Sequence, residues 1–346
     1  MGIFGGEADR GLAVLSSVTE KDIENTKERI ADASCCVVEL LDKTPAKLHL
    51  IVEGTSKQSH ALVEILHTHT SFVRIEKDGN ILLDKGVSAE GGETLTDRSL
   101  LNVRDILDFA HSVKLEDVEP ILRPQVEHNT AIAEAGLTED YGASVGKVLL
   151  ENFGNAVGNV ARATAAAASD ARMDGCQLPV VINSGSGNQG IAASIPVIVY
   201  ARYYELSEEK LFRALCVSNL VAIHQKTGIG RLSAYCGAVS AACGSGAAIT
   251  YMLGGDYEEV CDTITNTLAN VSGILCDGAK PSCAAKIASS VDAAIMGLTM
   301  SFTALKFLDG DGIVKSNVEE TISVIGNIAS EGMKKTDVTV INHMIK

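Results

Sequence analysis

Three cysteines in the second half of the chain are the first candidates for chemistry. Cys236 stands in GRLSAYCGA, and Cys276 and Cys283 bracket the stretch CDGAKPSC. A continuous helix there would return Cys283 nearly to the face of Cys276. Gly278 and Pro281 instead predict a loop just past a helix end, where thiolates converge with free backbone N–H groups. Zinc ordinarily takes tight ligands in CxxC pairs, and that spacing is absent. Three thiolates from separated segments suit an iron–sulfur cluster with one iron left open; quiet buried thiols are the alternative. Cys35, Cys36, Cys176, Cys216, Cys243 and Cys261 fit that alternative better, Cys216 and Cys261 because they occupy apolar helix positions.

Two further segments carry polar groups suited to a substrate. INSGSGNQGIAASIP, residues 182–196, reads as a loop in which Gly185, Gly187 and Gly190 expose backbone N–H groups. Ser184, Ser186, Asn188 and Gln189 add side-chain donors, so the loop could wrap a carboxylate or phosphate; a plain connection is the alternative. No βαβ unit with a later acid surrounds it, so it is not a dinucleotide loop. Upstream, in SDARMDGCQLP, Arg172 could hold a carboxylate in a fork or be neutralised by Asp170 or Asp174. His67 and His69 read as an alternating pair on one side of a strand, either ligands or a polar face. Neither a Ser–His–Asp order nor an HExxH pattern stands out.

Composition narrows the class. Nine cysteines is an odd number, and the opening MGIFGGEADRGLAVL has no basic region ahead of an apolar run. Reduced thiols or metal ligands in a cytoplasmic protein are therefore expected, rather than a disulfide framework. A net charge of −15 argues against nucleic acid or an anionic membrane as the main partner. The 24 uncharged residues between Arg231 and Asp256 are long enough to span a bilayer. They are dominated by Ala, Gly, Ser and Cys without aromatic belts, which predicts a buried central helix.

The elements that must position these residues fall into an α+β class. Residues 1–95 predict a small mixed α/β sheet domain: a capping box of Ser17 with Glu20 opens a polar helix. KLHLIVEG, HALVEILHT, SFVRIEK and ILLD follow as strands, with a hairpin at Asp78-Gly79 and a helix on the sheet. Residues 96–346 predict a mainly α-helical domain. VRDILDFAHSVK, KVLLENFGNAVGNVARATAAAA, SEEKLFRALCVSNLVAIHQ with Ser207 as N-cap, YEEVCDTITNTLANVSGIL and KIASSVDAAIMGLTMSFTALK all show helical spacing.

Taken together, SDARMxGxxLPxxxNSGSGNQGI, the Lys226–Gly237 segment ending RLSAxCG, and CDGAKPSCAAK at 276–286 resemble the L-cysteine desulfidase family. That family is similar to the α-chain of iron–sulfur L-serine dehydratases, and the resemblance spans essentially the whole chain. It implies a [4Fe–4S] cluster held by Cys236, Cys276 and Cys283, with the fourth iron acting on the β-substituent of a small amino acid. It implies Arg172, Ser184, Ser186, Asn188 and Gln189 as substrate-binding residues. Lys226, Arg231 and Lys280, the charged residues beside the cluster motifs, are the catalytic candidates, and the sequence does not choose among them. Loss of the β-group would leave an aminoacrylate that hydrolyses to pyruvate and ammonia. The family's N-terminal GCTEP motif and the glycine-rich stretch after it have no counterpart here, and Cys35-Cys36 does not match them. Pyridoxal phosphate on the SGSGNQG loop, with Lys226 or Lys280 as Schiff base, is one alternative. A non-catalytic binding protein derived from the family is another. A homodimer is left open.

Overall fold

The alternating segments after residue 48 form strands. In the computed structural model, which describes residues 1–41, 43–46, 48–86, 96–230 and 232–345, four strands pair antiparallel in chain order: β1 (His49–Thr55), β2 (His60–Leu66), β3 (Phe72–Lys77) and β4 (Asn80–Asp84). Asp78 and Gly79, at φ 52° and 79°, supply the left-handed pair that a tight hairpin needs. Val52 lies opposite Val63, Val63 opposite Ile75, and Ile75 opposite Leu83. The period-two alternation of KLHLIVEG predicts a half-buried strand, and β1 differs: Leu50, Ile51 and Val52 are 47, 43 and 56% exposed. Alternation gives a strand two distinct faces, but β1 is an edge strand, and five of its seven residues are exposed. His67 and His69 are not on a strand either. They fall in the turn between β2 and β3, where His67 has φ 64° and the Thr68 and Ser71 N–H groups bond back to Leu66 and Thr68.

The chain divides into two units, residues 1–43 with 341–346, and residues 44–340. The first contains α1 (Gly2–Gly5), a 3-10 segment over Ala8–Ser17 and α2 (Glu20–Ile30); α2 and the sheet thus belong to different units. The capping box of α2 is Thr19 with Asp22, not Ser17 with Glu20. Asp22 N–H donates to Thr19 Oγ1 (3.3 Å) and Thr19 N–H to Asp22 Oδ2 (3.0 Å). Ser17 Oγ accepts the Glu7 N–H instead (3.1 Å).

Beyond the sheet, the second unit is helical: α3 (Val103–Ser112), α4 (Leu115–Thr138), α5 (Val145–Phe153), α6 (Val157–Met173), α7 (Gly187–Tyr203), α8 (Glu208–Ile229), α9 (Gly237–Met252), α10 (Tyr257–Asn270), α11 (Cys283–Ser301) and α12 (Val318–Asn327), with α13 (Lys334–Met344) after them. Ser207 caps α8, accepting the Lys210 N–H at 3.3 Å. The segment KVLLENFGNAVGNVARATAAAA is two helices rather than one. Gly154, at φ 74°, breaks it, and Asn159 Nδ2 donates to the Leu149 (3.0 Å) and Gly154 (2.6 Å) carbonyls that the break frees.

The uncharged stretch is the central helix α9. Every residue from Ala238 to Thr250 is buried, and α7, α8, α10 and α11 pack around it. Its Ala, Gly, Ser and Cys side chains let those helices approach closely, while Ile249, Ile264 and Leu268 fill the spaces between. Each such fully buried aliphatic contributes about 1.5–3 kcal/mol. Among the described residues one helix, Cys283–Ser301, is apolar and long enough to cross a membrane by length and composition; it packs on α6, α9 and α10.

Candidate active site

A short antiparallel bridge brings the first two cysteines together. Tyr235 pairs with Leu275; Cys236 N–H donates to Ile274 O (2.8 Å) and Cys276 N–H to Ala234 O (2.6 Å). Ser233 anchors the first strand, donating through Oγ to Ala329 O (3.0 Å) and accepting the Tyr235 N–H (3.1 Å). Because α10 stops at Asn270, the chain is free to form this bridge before α11 begins. This places the free thiols of Cys236 and Cys276 as electrostatic neighbours.

Three helices start at this point. Cys236 is the N-cap of α9, Cys283 is the first residue of α11, and Ser186 caps α7, accepting the Gln189 N–H at 3.4 Å. The first turn of α7 lies against that of α9: a Cβ added to Gly237 would sit 2.3 Å from Gln189 Cδ. Arg172, in the last turn of α6, runs across Gly187 so closely that a Cβ there would be 2.3 Å from its Nε. Only glycine permits either contact. Free N–H groups and the helix dipole make each N-terminus favourable to an anion.

The electrostatics follow from this geometry. The Cys276 thiol is held below the ordinary thiol range, first by the neighbouring Cys236 thiol, then by the Gly278 N–H and the charge of Lys286, against the cost of burial. Cys236 is pushed the other way by its neighbour Cys276 and by burial. Lys286 is half-buried, which disfavours its charge, yet its bond to Asp277 and the nearby Cys236 and Cys283 raise it above its ordinary value. Arg172 is lowered by burial, with Cys283 acting in the opposite direction. It makes no ion pair with Asp170 or Asp174; Asp170 instead accepts the Gly146 N–H at the start of α5 (3.0 Å). Arg172 and Gln189, whose buried Oε1 has no partner, leave polar capacity directed at this site.

The residues singled out in the sequence divide accordingly. Cys236, Cys276, Cys283, Arg172 and Gln189 come together. Asn188 is taken up locally, accepting from Ser169 Oγ (3.2 Å) and donating to Met173 Sδ (3.5 Å). Residues 187–196 are helix rather than loop; only 183–186 form a tight turn, with Ser184 at φ 50° and its Oγ bonded to Asn183 Oδ1 (2.9 Å). Lys280 lies half-buried in the loop between Cys276 and Cys283, and Lys226 is buried in the last turn of α8. Arg231 lies outside the described residues. Lys286 and Asp277 were not singled out, although both stand within or beside CDGAKPSC; their spacing of nine residues across a loop and a helix start gives no periodic signal.

Among the described residues, no three His, Cys, Asp or Glu side chains close on one point tightly enough for a single ion. The thiolates of an iron–sulfur cluster bind different irons and need not meet at one point. Three cysteines from separate segments, ringed by helix N-termini and by Arg172 and Lys286, fit that donor set.

Residues 9–342 match the serine dehydratase alpha chain family. The chain belongs to that family. Its relatives include a UPF0597 protein of Lachnoclostridium phytofermentans, 51% identical over 345 residues that cover all of this chain and 82% of the relative. A UPF0597 protein of Treponema denticola is 51% identical over 354 residues, covering 100% and 81%. Another, from Aeromonas hydrophila, is 38% identical over 351 residues, covering 99% and 79%. No solved structure matches significantly. The cysteine bridge, the Arg172 contact and the three converging helix starts all lie within the span matched to the serine dehydratase alpha chain family.

Proposed function

We propose that the chain is a lyase that eliminates the β-substituent of a small L-amino acid, L-cysteine or L-serine, with Cys236, Cys276 and Cys283 holding a [4Fe–4S] cluster. The observation that supports this reading most is the backbone bridge that joins the Cys236 and Cys276 segments, with Cys283 opening α11 just after it and Arg172, among the described residues, in no ion pair. When bound, the cluster supplies Lewis-acid activation of the β-sulfur or β-oxygen. Arg172 and the first turn of α7, including Gln189, take the substrate carboxylate through charge-assisted hydrogen bonds. A basic side chain beside the cysteine segments, Lys280, Lys226 or Arg231, accepts the α-proton. The electron pair of the broken Cα–H bond forms the Cα–Cβ double bond as the β-group leaves with its bonding pair. The aminoacrylate then tautomerises and takes up water to give pyruvate and ammonia.

Anaerobic assay of the cluster-reconstituted chain with L-cysteine and with L-serine tests this. Pyruvate and ammonia in equal amounts, with sulfide from L-cysteine only, are expected. No product from either substrate, with a full-length relative active in parallel, would contradict it. A lysine trapped by borohydride would favour pyridoxal phosphate chemistry instead.

A further inference from the structure

A second site lies further along the two helices that carry Arg172 and Cys283. A cavity of about 260 Å³ opens between α5, α6, the end of α10 and α11. Its walls are of two kinds. Leu149, Val271 and Met296 are apolar lining residues, and Arg162 and Asp292 are charged ones.

The charged side is built rather than incidental. Arg162 Nη1 donates to Asp292 Oδ1 at 2.7 Å, Arg162 Nε donates to Asn159 Oδ1 at 2.9 Å, and the Phe153 ring covers the guanidinium with its centroid 5.0 Å from Cζ. These contacts fix the plane of the guanidinium. A guanidinium carries more N–H donors than these two bonds use, and the described hydrogen bonds of Asp292 engage only Oδ1. The Arg162 side chain is 18% exposed and that of Asp292 49%, so the pair is open to solvent from the acid side. A fixed cation and a fixed anion therefore stand next to each other at the rim of an apolar hollow.

We propose that this cavity binds a free α-amino acid with an apolar side chain, at a site separate from the cysteine centre. The ligand carboxylate would take the remaining donors of Arg162, its ammonium would take Oδ2 of Asp292, and its side chain would lie against Leu149, Val271 and Met296. A monovalent ligand of either sign gains from one partner and is repelled by the other, which selects the zwitterion. The volume is below the range of pockets for drug-sized molecules and suits a side chain of leucine or methionine size. The inference does not depend on the reaction proposed above.

Isothermal titration of the full chain with L-leucine and L-methionine tests it. Saturable binding is expected, weakened at least about tenfold by Asp292→Asn or Arg162→Gln, and abolished by Ser289→Trp. Ser289 lines the cavity and is exposed, so its replacement blocks the hollow while leaving the ion pair and the fold intact. Arg172→Gln should bind as the unaltered chain does. 4-Methylpentanoate and 3-methylbutylamine, which each lack one charge, should not bind. Absence of binding, binding that survives Ser289→Trp, binding lost in Arg172→Gln but kept in Asp292→Asn, or equal affinity for the singly charged analogues would overturn the proposal.

Discussion

Cys236 and Cys276 flank the Tyr235–Leu275 bridge on opposite segments, each tied through its backbone N–H to the other segment, Cys236 to Ile274 O and Cys276 to Ala234 O. A pair placed by backbone bonds does not depend on the rotamers of its neighbours. The backbone positions of both cysteines are therefore set before anything binds their thiols. Cys283 joins them because α11 starts there, and its thiol is held by a bond to Gly278 O at 3.6 Å.

The contact between α7 and α9 predicts the behaviour of Gly237→Ala. The added methyl would lie 2.3 Å from Gln189 Cδ, and the flexible end of Gln189 must move away. The free energy of unfolding should change little, within about 1 kcal/mol. KM for the amino acid should rise several-fold, with a smaller change in kcat, because a substrate contact is displaced. An unchanged KM would remove Gln189 from the site.

Much of this site is legible in the sequence and some of it is not. The three cysteines, Arg172 and the NSGSGNQG segment stand out by residue type, and the helices that carry them stand out by period. The bridge between Tyr235 and Leu275 does not, because one backbone pair between two non-periodic segments leaves no pattern. The start of α7 at Gly187 was hidden by glycines, which mark a loop by propensity but here allow Arg172 to cross the helix end. The Lys286–Asp277 pair was hidden for a related reason: the turn at Gly278, φ 88°, folds Asp277 back onto α11. In the fold, alternation correctly placed four strands, yet it could not show that β1 would lie mostly exposed. The break at Gly154 was visible as a residue, but its cause, the Asn159 cap, is a tertiary choice between two acceptable helices.

Asp170 should matter for stability rather than chemistry. It is fully buried, and its Oδ2 caps α5 through the Gly146 N–H. Burial raises its carboxyl against the opposing backbone bonds from Gly146 and Val145. Asp170→Ala should cost about 1–3 kcal/mol in urea denaturation, because the cap is lost and a cavity left. Asp170→Asn keeps an acceptor of the same size and should cost less. Equal losses would show that the charge itself is needed.

Glu319 supplies the acid sensitivity. It accepts from the Val103 N–H at the start of α3 and from His224 of α8, each at 2.7 Å. Burial works to raise its carboxyl, but the His224 and Val103 bonds outweigh this and hold it below the ordinary value of 4.5. A carboxyl depressed on folding adds stability above its unfolded value, and that stability is lost as pH falls through the folded value. Glu319→Gln should therefore lower stability by about 1 kcal/mol or less at about pH 7, allowing for solvent screening. The difference should shrink as denaturation curves are repeated below about pH 4. A difference that grows in acid would contradict the assignment.

Iron and acid-labile sulfide per chain, measured on anaerobically reconstituted protein, test the central claim most directly. The account predicts about four of each per unaltered chain and the same for Cys216→Ala, whose thiol is buried in α8 away from the bridge. Cys236→Ala, Cys276→Ala and Cys283→Ala should each lose most of both, while circular dichroism shows the helices intact. Iron and sulfide retained equally in all five proteins would contradict the assignment of Cys236, Cys276 and Cys283.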